Sequence, residues 1–330
     1  MPRLSRVRTG HGMSDIRVAV ASRSFSRHPI LRQEVLERFP NATFNDAGTS
    51  FTGDALIEFL AGHDRAITAL ERLDGSVFAA LPELKVISKY GVGLDMIDLD
   101  AMAAHGVQLG WTGGVNRRSV AELALSFAIS LLRLVPANTR EVRDGIWRQE
   151  RGRELSRRTV GIIGCGHVGK DLIRLLQPFK CEILVHDVRT FPDFYKMHGV
   201  TPVALEELLS RSEIVSLHVP LDSTTRQLLN AERLGLMRPD AVLLNLARGD
   251  LVDETALADM LEDGRLFGAG FDVFANEPPT DMRLLSLPSF LGTPHIGGTT
   301  EEGVLAMGRA AIQGLTEFGQ PHEIVKGQQG

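Results

Sequence analysis

At 330 residues the chain is long enough for two domains with cores of their own, and 43% hydrophobic residues is an ordinary globular composition. A formal net charge of −5, with no basic stripe interleaved with aromatics, excludes the electrostatic footprint of a nucleic-acid binder. No window approaches the ~18 consecutive apolar residues of a membrane span, and Cys165 and Cys181 are spaced for neither a metal site nor a disulfide framework, as in a protein of the reducing cytosol.

Residues 1–14 carry Arg3, Arg6 and Arg8 but lack the apolar centre of a signal peptide, and read as a disordered extension with Met13 as an alternative start. From Asp15 short apolar strands alternate with amphipathic helices. Strands are predicted at 16–20, 42–44, 65–68, 85–88 and 107–109, and helices at 29–39, 54–61, 75–80 and 100–105. That alternation implies a parallel sheet. The strand at 85–88 runs into Lys89-Tyr90-Gly91-Val92-Gly93-Leu94-Asp95, a glycine-bracketed loop at a strand's carboxyl end, where open α/β sheets bind ligands. Backbone N–H groups of Gly91 and Val92 suit a carboxylate and Lys89 a second anionic group; a plain turn with a solvated lysine is the alternative.

Next, Ser119-Val-Ala-Glu122 has the form of a capping box, with Ser119 at the N-cap and Glu122 three residues on. The helix that follows, to about residue 134, is apolar almost all round, so it must be buried, either between domains or against a second subunit, the latter being favoured. Residues 140–158 read as a polar crossing segment whose arginines are solvated.

The strongest motif is Val160-Gly-Ile-Ile-Gly164-Cys-Gly166-His167-Val168-Gly169, a β-branched strand, a Gly-x-Gly-x-x-Gly turn, then a helix. Gly164 allows the tight turn, Gly166 lets a pyrophosphate approach the backbone, and Gly169 allows close packing of helix on strand. The helix N-terminus offers free N–H groups and a positive dipole end to phosphates. A second strand, 182–186, ends in Asp187, about 20 residues downstream, where a carboxylate accepts from a ribose hydroxyl and repels a 2′-phosphate. NAD is therefore favoured over NADP, a preference that Arg189 tempers. Further strands are predicted at 214–219, 241–246 and 267–271, with helices at 205–209 and 254–262. A last helix, 300–318, has no strand to serve and can return to the first domain.

Three loops at strand ends of this middle half carry the polar groups: Asn245-Leu246-Ala247-Arg248-Gly249, Asp272 to Glu277, and Thr293-Pro-His295-Ile-Gly297-Gly298. Oxidising an alcohol needs a base for the hydroxyl proton, and histidine titrates in the right range. His295 is that candidate, Glu277 the carboxylate to orient it, and Arg248 the group to pair with a substrate carboxylate and polarise the adjacent carbonyl.

With KYGVGLDMID, NRRSVAE, VGIIGCGHVG, LHVPLDSTT, LNLARGDLVDETAL, GAGFDVFANEP and TPHIGG in this order, the chain resembles the D-isomer-specific 2-hydroxyacid dehydrogenase family. Its phosphoglycerate dehydrogenase and hydroxypyruvate or glyoxylate reductase branches are the nearest in character. The resemblance implies Arg248, Glu277 and His295 as the catalytic residues, and Lys89, Tyr90, Gly91, Val92 and Arg248 around the substrate. It implies NAD contacts from Gly164, Gly166, His167, Val168, Gly169, Asp187, Val219, Thr225, Leu246, Ala247, Arg248, Asp272, His295, Gly297 and Gly298, with Asp272 on the nicotinamide amide. It also implies two doubly wound α/β domains, a Rossmann NAD-binding domain at 112–298 inserted in a flavodoxin-like substrate domain at 15–111 plus 299–330, and a cytoplasmic homodimer. Thr112-Gly113-Gly114 and Arg157 depart from the family pattern, Arg157 standing where glycine is common, and no regulatory extension is expected. A cofactor-sensing corepressor-like scaffold and a phosphite- or formate-type dehydrogenase are the competing readings.

Overall fold

The computed structural model describes residues 15–328, so the extension expected over 1–14 and the start at Met13 lie outside the described residues. The chain divides into two compact units, one running as far as Asn116 and resuming at Glu301, the other Arg117–Thr300. The seams thus fall at the first residues of the helices Arg117–Leu132 and Glu301–Gly314, a few residues from the expected 111/112 and 298/299.

In the first unit β1 (Val18–Val20), β2 (Thr43–Phe44), β3 (Arg65–Thr68), β4 (Val86–Lys89) and β5 (Gln108–Gly110) form a parallel sheet in the order β2-β1-β3-β4-β5. Val18, Val20, Ile67 and Ile87 are fully buried because helices cover both faces. One face packs Leu56, Leu60 and Phe78, the other Phe25, Leu31 and Phe39, each side chain contributing about 1.5–3 kcal/mol of burial. The covering helices start where the sequence supplies caps: Asp74 accepts from Ser76 and Val77 N–H, and Asp98 from Ala101 N–H. The helix Glu301–Gly314 lies on this sheet, where Ser88 Oγ donates to the Ala311 carbonyl at 2.6 Å. Contact there requires glycine, since a Cβ on Gly110 would sit 2.1 Å from the Gly314 carbonyl oxygen.

In the second unit β6 (Thr159–Ile163), β7 (Glu182–His186), β8 (Val200–Pro202), β9 (Ile214–Leu217), β10 (Val242–Asn245), β11 (Gly268–Phe271) and β12 (Phe290–Gly292) are also parallel, ordered β12-β11-β10-β9-β6-β7-β8. This is the doubly wound dinucleotide-binding order with one more strand, and its order reverses between β6 and β9. β8 and β12, three residues each at the two edges, were too short to show a period in the sequence.

One expectation for the helix Arg117–Leu132 is corrected. Ser119 is inside the helix rather than at its N-cap, and its hydroxyl meets Thr300 Oγ1 at 2.8 Å. Part of the apolar circumference is covered by the unit itself, since Ala121, Ala124, Phe127, Ala128, Leu131 and Leu132 are buried in the same core as Ile162, Leu172 and Leu244, while Ile129 is 37% exposed. Arg118 clamps it to the helix His167–Leu176 through Asp171, whose side chain is 5% exposed. The segment expected to be a polar crossing begins as a helix, Val135–Arg143. Arg157 takes φ +65°, the left-handed region, with its N–H on the Phe179 carbonyl at 2.9 Å. Among the described residues no single helix is long and apolar enough to cross a membrane, and no cluster of His, Cys, Asp and Glu is grouped as metal ligands.

Candidate active site

The carboxyl ends of β6, β7, β9, β10, β11 and β12 line up in register, Ile163 beside His186 and Leu217, Leu217 beside Asn245, Asn245 beside Phe271, and Phe271 beside Gly292. Each nominated loop of the second unit leaves from that edge.

At β6 the three glycines have separate physical reasons. Gly164 has φ +97°, and a Cβ there would lie 2.7 Å from the His218 backbone. Gly169 lies so close beneath the turn that a Cβ would meet the Gly164 carbonyl oxygen at 2.1 Å. Gly166, the N-cap of the helix His167–Leu176, has nothing within 4 Å of its Cβ position, and no side chain caps that helix. An open backbone surface at an uncapped helix N-terminus is the cradle a pyrophosphate needs. His167 and Val168 form its first turn. Asp187 follows β7, its carboxylate accepting from Cys165 N–H at 2.6 Å and Arg189 N–H at 2.8 Å, which holds it beside the glycine turn. The Arg189 guanidinium stands 3.9 Å from the same carboxylate. These features fit a dinucleotide with an unphosphorylated ribose. Cys165, between the first two glycines, is fully buried, and burial pushes its thiol up to about 11, so it is filler rather than a nucleophile. After β9, Val219 is half-buried beside the Gly164 turn, while the Thr225 hydroxyl shapes its own loop, donating to the Pro220 carbonyl at 2.7 Å and accepting from Asp222 N–H.

At β10, Asn245 is fully buried and bonds across its turn in both directions, donating to the Arg248 carbonyl at 2.7 Å and accepting from Ala247 N–H at 3.1 Å. Leu246 is 7% exposed, and the half-buried Arg248 stands in extended backbone as the turn closes. Gly249 then passes so close to the next loop that a Cβ would fall 1.9 Å from the Phe274 carbonyl carbon. That approach seats the arginine turn on the loop that carries Glu277.

At β11 and β12 the acid and the histidine come together. His295 Nδ1 lies 2.8 Å from Glu277 Oε2, with side chains 53% and 39% exposed, and Glu277 Oε1 accepts from Phe274 N–H at 3.1 Å. A carboxylate only accepts, so Nδ1 carries the hydrogen and Nε2 is left with its lone pair. His295 has φ +54°, a conformation β-carbon-bearing residues adopt only when held. Asp272 does the holding: 1% exposed, it accepts from Thr293 Oγ1 at 2.6 Å, Ile296 N–H at 2.8 Å and Gly297 N–H at 2.7 Å. The resemblance gave Asp272 a nicotinamide contact; its three bonds here make it the anchor of the histidine loop, and Gly297 and Gly298 complete that loop. Two further supports were not singled out from sequence, Asn245 and Glu254. The latter accepts from Ala275 N–H at 2.8 Å, and burial, aided by the nearby Asp250, Asp281 and Glu277, raises its pKa. Only its position after an aspartate cap hinted at it.

The loop after β4 belongs to the first unit. Lys89 is not solvated: it is 5% exposed, and its ammonium donates to the carbonyls of Ala69 and Tyr90. Tyr90 is 8% exposed, its ring edge-on to Phe25 at 5.2 Å. Gly91, at φ +116°, and Val92 follow, and among the described residues neither N–H has a partner. The Trp111 indole fixes the Val92 carbonyl at 3.2 Å.

A doubly wound sheet with a phosphate cradle at its switch point, next to a histidine–carboxylate pair and an arginine, defines a cofactor-dependent dehydrogenase class. Residues 125–297 match the model of the D-isomer specific 2-hydroxyacid dehydrogenase NAD binding domain. The chain is 35% identical over 275 residues to a glyoxylate reductase of Pyrococcus furiosus, covering 80% of this chain and 82% of that one. It is 36% identical over 232 residues to the D-3-phosphoglycerate dehydrogenase of Mycobacterium bovis, where it covers 70% of this chain and spans only 44% of the relative. Among solved structures, a D-lactate dehydrogenase of Aquifex aeolicus complexed with NAD and lactic acid matches with a TM-score of 0.79 and 26% identity over 94% of this chain and 96% of that one. The chain belongs to the D-isomer specific 2-hydroxyacid dehydrogenase family, and NAD is the cofactor its second unit is built for.

Proposed function

We propose that the protein interconverts a small D-2-hydroxy acid and the corresponding 2-oxo acid with NAD(H), as the names of its glyoxylate reductase and phosphoglycerate dehydrogenase relatives suggest. The observation that carries this reading is the 2.8 Å contact between His295 and Glu277 on the strand edge that also bears Arg248. The nicotinamide, when bound, supplies or accepts the hydride. In reduction His295 Nε2 gives its proton to the carbonyl oxygen, and in oxidation it takes the hydroxyl proton. Glu277 keeps Nδ1 protonated and the ring in place, and stabilises the imidazolium formed in oxidation. Arg248 pairs with the substrate carboxylate and withdraws electron density from the adjacent carbonyl. The dinucleotide is assigned to Gly164, Gly166, His167, Val168, Gly169, Asp187, Val219, Thr225, Leu246, Ala247, Arg248, Asp272, His295, Gly297 and Gly298, with Asp187 selecting NAD over NADP and Asp272 also meeting the nicotinamide amide. In the first unit the N–H groups of Gly91 and Val92, which have no partner among the described residues, form a nest suited to a carboxylate. Lys89 and Tyr90 serve that nest from behind.

Two further assignments belong to this reading. Both cysteines are free thiols, which supports a cytoplasmic protein. A homodimer is supported by exposed apolar side chains close together in sequence, Val135 at 46%, Val142 at 55%, Ile146 at 48% and Trp147 at 84% exposure.

The test is a substrate panel. NADH oxidation with glyoxylate, hydroxypyruvate and pyruvate, and NAD reduction with 3-phosphoglycerate, should reveal stereospecific turnover with at least one pair. No turnover with any of these acids, in a protein that still binds NADH, would refute the assignment.

A further inference from the structure

The loop that carries Glu277 is tied down sparingly. Among the described residues, 274–278 make no backbone–backbone hydrogen bond. Phe274 N–H is taken by Glu277 Oε1 within the loop, and the next amide, Ala275 N–H, by Glu254 Oε1 at 2.8 Å. Apart from the contact between Glu277 and His295, the Glu254 bond is the one hydrogen bond that ties this stretch to another element among the described residues. Two consecutive amides thus meet two carboxylates, one the partner of the histidine and the other from outside the loop.

Glu254 is placed to hold that loop still. It opens the helix Glu254–Glu262, which Asp253 caps by accepting from Ala256 N–H and which Leu257, Ala258 and Leu261 bury in the core of the second unit. From this fixed base the carboxylate reaches a backbone that already presses on Gly249 at the end of the arginine turn. The position is an expensive one for a carboxylate. Burial, with Asp250, Asp281 and Glu277 adding repulsion, raises its pKa. It forms no ion pair among the described residues, where Arg226 pairs with Asp250, and Arg283 with Asp259 and Glu262. Its charge therefore does little for the fold, and what it contributes is the charge-assisted bond to Ala275 N–H.

We propose that Glu254 is the positioning residue of the acid–base pair: by holding Ala275 N–H it fixes the loop at the point from which Glu277 reaches His295 Nδ1. With that bond gone the loop relaxes, Glu277 moves off the imidazole, and the ring loses both its fixed tautomer and its aim. Glu254 acts through Glu277 and not on the reacting atoms. This rests on reading His295 and Glu277 as the acid–base pair of a dehydrogenase.

The test is kcat for NADH-dependent reduction of the best 2-oxo acid in the panel above. Glu254→Ala should lower kcat by about 10- to 10²-fold while KM and NADH affinity change less than about 3-fold. Glu254→Gln, whose amide oxygen still accepts from Ala275 N–H, should recover part of the loss. Removing Glu277 removes what Glu254 acts on, so Glu254→Ala/Glu277→Gln should be no more than about 3-fold slower than Glu277→Gln alone. Losses that multiply would mark a merely structural role and overturn the proposal, as would an unchanged kcat in Glu254→Ala. A second readout needs no turnover. In protein carrying ¹⁵N-labelled histidine, the ring nitrogens of His295, assigned by difference from His295→Gln, should show the Nδ1–H tautomer in the wild type and a shift toward the Nε2–H tautomer in Glu254→Ala; an unchanged tautomer would overturn the proposal. If the wild type turns over none of the acids but the tautomer shifts as stated, the dehydrogenase reading fails and the positioning by Glu254 stands. If turnover is present and neither kcat nor the tautomer responds to Glu254→Ala, the positioning fails and the dehydrogenase reading stands.

Discussion

The His295 backbone is bent into the left-handed region at φ +54°, and one carboxylate with three donors keeps it there. Changing Asp272 to Asn replaces an acceptor by an NH2 donor that must face at least one of those donors. We expect Asp272→Asn to lose about 2–3 kcal/mol in urea denaturation and most of its turnover, because the loop that aims the imidazole is released. Equal stability and activity would show that the loop is held by other means. His218, just past β9, has its Nε2 2.8 Å from Ser216 Oγ, and burial pushes it down to about 4 from 6.5. The unfolded chain therefore takes up this proton first, so the contribution is complete above pH 6.5 and is lost as pH falls toward 4. Denaturation at stepped pH should show His218→Asn losing less stability than the wild type across that window, by up to about 3 kcal/mol. Parallel curves would contradict this.

Elements show most clearly what the sequence could and could not display. The glycine turn, the helix Glu254–Glu262 and strands β3 and β7 were legible because long or β-branched runs with clear breakers admit one reading. The capping box at Ser119 was a false signal: a serine three residues before a glutamate has the right spacing, but the helix starts at Arg117 and Thr300, distant in sequence, takes the hydroxyl. The circumference of Arg117–Leu132 was read as buried all round, yet periodicity cannot say by what: its own unit covers the face of Ala124, Phe127 and Leu131 and leaves Ile129 37% exposed. Likewise Asp272 and Lys89 were visible as polar residues at strand ends, while their partners, mostly backbone groups of loops, leave no mark on composition. Arg157 is a departure with a measurable cost. An exposed arginine at φ +65° bears a Cβ penalty of about 1 kcal/mol that glycine lacks. Arg157→Gly should raise stability by about 0.5 kcal/mol after the added chain entropy is subtracted, read as a higher midpoint in urea; a lower midpoint would mean that the Arg157 side chain makes compensating contacts.

At the scale of the whole molecule, the sequence order alone indicated that the chain leaves the first unit, builds the second and returns, since the helix Glu301–Gly314 packs on β4 and β5 through Ser88 and Gly110. The proposed self-association should depend on the exposed apolar side chains Val135, Val142, Ile146 and Trp147 that follow the Arg117–Leu132 helix. Trp147→Glu, at a site 84% exposed, should shift sedimentation equilibrium from dimer to monomer while leaving folding intact; an unchanged mass would remove this stretch from the interface. The proposed chemistry rests on the histidine and its carboxylate, and the most direct measurement is kcat for NADH-dependent reduction of the best 2-oxo acid by His295→Gln, alongside its affinity for NADH. The account predicts a fall of about 10²- to 10⁴-fold in kcat with NADH affinity unchanged; near-normal turnover would contradict it.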